Sequence, residues 1–309
     1  SDGRERAAHR FGGKCILVRD GVEGQRYDGI RVYDWDDNAQ PLLYALKKDG
    51  KWRFVSGGVE GTPYDHIGWP AQDSRRKHVA YVAEDGGKEF VVLDGVADNT
   101  YDGIQDLRFS PGGNRLAYTA KVADKEFVVV DDVAGEWYDK ISDLTFSPDG
   151  RRLLYSATMS GKGCVVVDGR PGPFYERVED LHFTTDSNHF VYTAVTSNRK
   201  LRDLVDSIED LVDHCLTIPV GDRKTEHFIV DGRKAGSYDS VRASTVTSDG
   251  KHLVCWAEKH GQFLVVVDGK TVARAPDPSY SLAEGNASVR YVSEDDKGYW
   301  LVNIAVVGR

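Results

Sequence analysis

Ile141-Ser-Asp-Leu-Thr-Phe146-Ser-Pro-Asp-Gly150-Arg-Arg-Leu-Leu-Tyr-Ser-Ala157 is the stretch that decides the fold. Apolar and polar residues alternate through Ile141–Phe146, the period of a half-buried strand. Ser147-Pro-Asp-Gly150 then reads as a turn, because Pro presets φ and Gly supplies a positive one. Arg152–Ala157 is a second strand, and Cys164-Val-Val-Val167 a third, rich in β-branched side chains. Asp168-Gly169 is a hairpin signal, and a fourth strand ends at Tyr175. The unit is a four-stranded antiparallel meander, strands A to D, too short to hold a crossover helix.

Working outward, the unit repeats. Tyr-Asp recurs every 37 residues at Tyr27, Tyr64, Tyr101 and Tyr138, becomes Tyr175-Glu176, and returns at Tyr238. The A–B turn recurs at Asp36–Ala39, Asp73–Arg76, Ser110–Gly113, Thr185–Ser187, Ser248–Gly250 and Glu294–Lys297. The C–D turn recurs at Asp20, Gly57, Asp94, Asp131, Asp168, Asp231 and Asp268, so both turns count to seven. The chain ends with A and B strands alone (Val289 to about Val307) and begins with C and D alone (Lys14 to Ile30). Joined, they complete one blade and leave no open edge. The expectation is an all-β chain, residues 1–309 forming a single seven-bladed β-propeller of four-stranded antiparallel blades.

Phe-Ser-Pro-Asp-Gly-x-x-Leu-x-Tyr-x-Ala, clearest at Phe146–Ala157 and Phe109–Ala120, resembles the TolB-like, WD-repeat-like propeller repeats, including those of prolyl-oligopeptidase-type peptidases. Blades one, five, six and seven depart from it at the turn. The resemblance implies a binding platform, or a gate attached to a catalytic domain. Through TolB it also implies a periplasmic or secreted location, with a cytoplasmic one left open.

Composition narrows the partners. A net charge of −9 over 309 residues argues against nucleic acid or an anionic membrane as the main partner. No apolar run reaches the ~18 residues of a membrane span. The first residues, Ser1-Asp-Gly-Arg-Glu-Arg, contain no signal-peptide core, which leaves a cleaved signal open. Cys15, Cys164 and Cys255 fall in apolar strand runs and are expected as buried thiols; Cys215 does not, and no CxxC pair exists.

One segment breaks the period. Between strands B and C of blade five the Tyr175-to-Tyr238 interval stretches to 63 residues. Within residues 197–222, Leu201, Leu204, Val205, Ile208, Leu211 and Val212 fall at helical spacing, with acidic residues opposite. Ser197 is the candidate cap and Pro219 the stop. Such a helix either packs on its own propeller or docks a partner, with Leu204, Ile208 and Leu211 as the contact stripe. Connections B–C and D–A share a face of a propeller. The insertion is therefore expected beside residues that vary between blades: Arg31, His66, Gln105, Lys140, Arg177, Glu179 and Arg242.

Other motifs are read as structure. The Tyr-Asp carboxylates are expected to hold each D–A junction rather than to form a ring of acids, because strict repetition is what a framework needs. Asp34-Trp-Asp36-Asp-Asn38 resembles the start of a calcium loop but has Ala39 and Ala45 where Gly and an acid belong. It is read as a turn. Nine histidines include no HxxxH or HExxH pair, and His182 is expected to be structural. No GxSxG elbow occurs, and neither metal nor cofactor is indicated. Asn286-Ala-Ser288 is a sequon that matters only in a eukaryotic secretory setting.

The reading is a non-catalytic scaffold propeller with a protein partner on the insertion-bearing face. The alternative is a hydrolase, lyase or small-ligand binder centred on the channel.

Overall fold

A computed structural model describes residues 7–11, 13–19, 22–34, 43–197, 224–246, 252–275, 283–285, 288–295 and 298–305. All regular structure among them is β, and every pairing is antiparallel. The chain divides into two compact units, Ser1–Trp137 and Tyr138–Arg309.

In the first unit, Gly29–Asp34, Leu43–Lys48, Lys51–Ser56 and Val59–Tyr64 make one meander. Gly103–Phe109, Leu116–Val122, Lys125–Val130 and Val133–Ala134 make another. Between them in sequence, Val79–Asp85, Lys88–Leu93 and Val96–Ala97 pair with a first strand broken into His66–Ile67 and Ala71–Gln72. Pro70 sits at the break, where it has no N–H to give the ladder.

In the second unit, Lys140–Phe146, Leu153–Met159, Lys162–Val167 and Arg170–Pro171 form the sheet that opened the sequence reading. Arg177–Phe183, Phe190–Ser197, Lys224–Val230 and Arg233–Tyr238 form the next. Ser240–Val246, Leu253–Lys259, Gln262–Val267 and Lys270–Ala275 form a third.

The expected joining of the chain ends is absent among the described residues. Lys14–Arg19 pairs with Val22–Tyr27, as C with D, but its other side takes Ala7–Phe11. The C-terminal hairpin Ser288–Asp295 with Gly298–Ala305 is formed as A with B, and adds Ala283–Gly285 on its outer side. Each end thus carries a three-stranded sheet of its own. The reason at the N-terminus is local: Phe11 and Lys14 are partners across Gly12-Gly13, with Gly13 at φ +80°. A two-residue loop closes at far lower entropic cost than one of nearly 300 residues.

Apolar faces pack sheet against sheet. Leu43, Phe54, Tyr81 and Val92 lie between the meanders 29–64 and 66–97. Val91, Leu116, Tyr118 and Val129 fill the next interface. In the second unit, Leu154, Val165, Tyr192 and Ile229 do the same. Each fully buried side chain of this size contributes ~1.5–3 kcal/mol. Carboxylates staple neighbouring sheets: Glu89 Oε2 accepts the Ile104 N–H at 2.6 Å, and Glu226 Oε2 the Val241 N–H at 2.6 Å. Cys164 and Cys255 are buried, which pushes their thiols up to about 11 and about 12.

The Tyr-Asp pairs are framework. Tyr64, Tyr101, Tyr138 and Tyr238 are buried. The carboxylates of Asp28, Asp65, Asp102, Asp139 and Asp239 accept the N–H of Asp49, Gly86, Ala123, Ser160 and His260. All five donors have φ between 51° and 59°, at the tip of the second hairpin of their sheet. Lys14, Lys51 and Lys88 pair with the first three carboxylates.

Candidate functional site

The second and third strands of the sheet 177–238 leave and re-enter at Ser197 and Lys224, which are register partners. The Tyr175–Arg177 junction lies at the same sheet end, since Glu176 N–H bonds Val195 O at 3.1 Å and Arg177 partners Val195. Ser197 ends a strand. The rest of the expected helix over 197–222, with Leu204, Ile208 and Leu211, lies outside the described residues, as do Asp36, Asp37 and Asn38 of the calcium-like stretch.

In the first unit the structure brings Arg31 and His66 together. Arg31 Nη1 lies 3.3 Å from His66 Nε2 and donates to Ile67 O at 3.1 Å. Its guanidinium carbon stacks 4.3 Å from the centroid of the buried Trp52 ring. Gly29 permits this, because a Cβ there would stand 3.2 Å from the Trp52 ring edge. Two residues along the strand, Tyr33 meets Trp69 edge to face, with centroids 5.3 Å apart. Trp69 is nonetheless 77% exposed. Burial and the neighbouring Arg31 act oppositely on the Tyr33 phenol, and burial dominates, raising it.

Trp69 stands at a position that the next three repeats give to aspartate: Asp106, Asp143 and Asp180 follow at 37-residue steps, while Val32 precedes it by one step. Each aspartate has φ between 54° and 58° and sits in a β-bulge of the first strand of its sheet. The Asp-Leu recurrence was their available signal, and the sequence reading passed over it. Asp106 pairs with Arg108 at 3.2 Å, and Asp143 accepts the Ser156 hydroxyl at 2.8 Å. Burial, then Glu179 and Asp143, raise the Asp180 carboxyl, against a lowering by His182. Arg177 Nε contacts Glu179 Oε1 at 2.5 Å, and His182 Nδ1 lies 3.0 Å from Asp180 O.

The remaining expected site residues stay within their own sheets. Gln105 is exposed opposite Thr119, and Lys140 is exposed opposite Thr158. Arg242 reaches Glu258 at 3.5 Å and lies 4.9 Å over the Phe263 ring. Among the described residues, no group of three or more His, Cys, Asp or Glu side chains is arranged to hold a metal ion.

No protein-family model matches the chain, and no curated protein does. Solved structures that it resembles include hydrazine synthase of Kuenenia stuttgartiensis, at 13% identity over 86% of this chain and 93% of that one, TM-score 0.33. TolB from Acinetobacter baumannii follows at 14% identity over 81% and 64%, TM-score 0.30. The β-propeller domain of the trilobed protease from Pyrococcus furiosus is similar at 8% identity over 96% and 92%, TM-score 0.34. In kind, the chain is an all-β repeat protein of four-stranded antiparallel meanders that resembles β-propellers.

Proposed function

We propose that the chain is a closed seven-bladed β-propeller acting as a non-catalytic binding scaffold, with a protein partner on the face that bears the 197–222 insertion. Six complete meanders and one incomplete sheet at each end support the count. Closure would set Gly298–Ala305 beside Lys14–Arg19 in place of Ala7–Phe11. The observation that carries the function is Trp69, a large aromatic left 77% exposed beside Tyr33 and the Arg31–His66 pair. Exposed aromatics with arginine are what interface centres are made of. The test is affinity capture from native extract with wild type and Trp69→Ala. The expected result is a partner retained by the first and lost by the second at unchanged thermal stability. An unchanged set of captured proteins would refute it.

One observation favours a second reading, a channel-centred hydrolase or lyase: the raised Asp180 carboxyl between Glu179 and Asp143. Turnover of an ester or glycoside panel, abolished by Asp180→Asn, would support it; no turnover by the intact chain would end it.

A further inference from the structure

Two interfaces between neighbouring sheets are sealed at the same pair of periodic positions by apolar side chains. Leu93 and Phe109 pack against the core between the sheets 66–97 and 103–134, and Val167 with Phe183 does so between 140–171 and 177–238. One period before Leu93 and Phe109 stand Ser56 and Gln72. A cleft of about 410 Å³ opens there, between the sheets 29–64 and 66–97, with both residues in its lining. That volume falls within the roughly 300–1,000 Å³ of small-molecule sites.

A third difference leaves a polar group at the cleft. In the next interface the Tyr118 hydroxyl donates to Asp98 at 2.6 Å. One period earlier Tyr81 stands for Tyr118 and Gly61 for Asp98, so that carboxylate acceptor is missing. The Tyr81 hydroxyl lies 3.8 Å from where a Gly61 Cβ would be, and both residues line the cleft. Phe54 stacks on Tyr81, with centroids 4.4 Å and planes 25° apart, and Leu43, Val59 and Val79 complete the apolar wall. The charges about the mouth balance. Arg76, Lys77 and Asp94 belong to the lining, and Asp73 accepts the Lys77 N–H beside it. With two cations and two carboxylates there, a ligand of either net charge would lose hydration without a matching counter-charge.

We propose that this cleft binds a small uncharged aromatic molecule bearing a hydroxyl group, a phenol or aryl alcohol. Its ring takes the space that the Phe109 and Phe183 side chains fill in the later interfaces, against Phe54 and Tyr81. Its hydroxyl accepts from the Tyr81 hydroxyl and meets the Ser56 hydroxyl or the Gln72 amide. Gln72 ends the broken first strand of its sheet and His66 begins it, so the site stands apart from the Arg31–His66 pair.

The test is calorimetric titration of the full chain, at neutral pH, with 2-naphthol, the anion 2-naphthoate and the cation 2-naphthylmethylammonium. Saturable one-to-one binding of 2-naphthol is expected, with each ion about tenfold weaker or more. The double change Ser56→Leu and Gln72→Phe gives this interface the residues of the next one and fills the cleft. It should weaken 2-naphthol by about tenfold or more, at a melting temperature no lower than that of wild type. Tyr81→Phe keeps the ring and removes the hydroxyl, and should weaken 2-naphthol about fivefold. It carries the test alone if the filled variant fails to fold. No saturable binding of 2-naphthol, an ion bound as tightly as 2-naphthol, or full affinity in either folded variant would each overturn the proposal.

Discussion

The Asp139 carboxylate accepts the backbone N–H of Ser160, 21 residues along the chain, at 2.6 Å. Ser160 has φ 51° and Gly161 φ 73°, a hairpin in which both central residues are left-handed. The bond thus ties the entry of a sheet to its second hairpin. The same relationship recurs at Asp28, Asp65, Asp102 and Asp239. At Glu176 the longer acid replaces aspartate, and the 37-residue period is broken after Ser197 by the extra residues.

Asp139→Ala removes a charged acceptor from one backbone donor. It should destabilise the chain by about 1–2 kcal/mol, seen as a lower urea midpoint with an unchanged slope.

Asp132 is the second residue of a C–D turn whose other copies have Gly95, Gly169, Gly232 and Gly269. Its φ is 64°, in the region that favours glycine. Asp132→Gly should raise stability by about 0.5–1 kcal/mol in the same urea assay.

Acid should weaken the first unit in a definite window. Lys14, Lys51 and Lys88 hold the Asp28, Asp65 and Asp102 carboxyls below the ordinary 3.8, with backbone N–H donors adding to the effect. A carboxyl lowered in the folded state stabilises it above 3.8 and loses that effect as pH falls through the lowered value. The urea midpoint should therefore hold above about 3.8, fall as the pH drops from there to the lowered values, and lose nothing further from these groups below them. The triple change of these aspartates to asparagine should flatten the fall.

Ring closure makes a prediction of its own. If Gly298–Ala305 completes the blade begun at Lys14, deleting residues 1–11 leaves the melting temperature unchanged, while deleting 298–309 lowers it sharply. The reverse order would show that Ala7–Phe11 is the working partner of Lys14–Arg19.

Much of this architecture was legible because turn chemistry is local. Ser147-Pro-Asp-Gly150 and Asp168-Gly169 announce their hairpins without reference to the rest of the chain, and the structure forms both. Ala7–Phe11 was missed because its strand character comes from a partner across Gly12-Gly13, not from an alternating apolar pattern. Arg31 and His66 were named as site residues, yet their meeting depends on Gly29 and Trp52, which no spacing links to them. Asp106, Asp143 and Asp180 hid within the repeat itself, where recurrence argues for framework. Ser56 and Gln72 signal only by contrast with Leu93 and Phe109, so the cleft emerges when side chains rather than turns are set in register.

The central claim is that function resides where the period fails. Its most direct test compares the full chain with one lacking residues 198–222 in affinity capture from native extract. A melt should show that the fold survives the deletion. The account predicts a stoichiometric protein partner bound by the full chain and absent from the deletion. The same partner recovered in equal amount by both would contradict it.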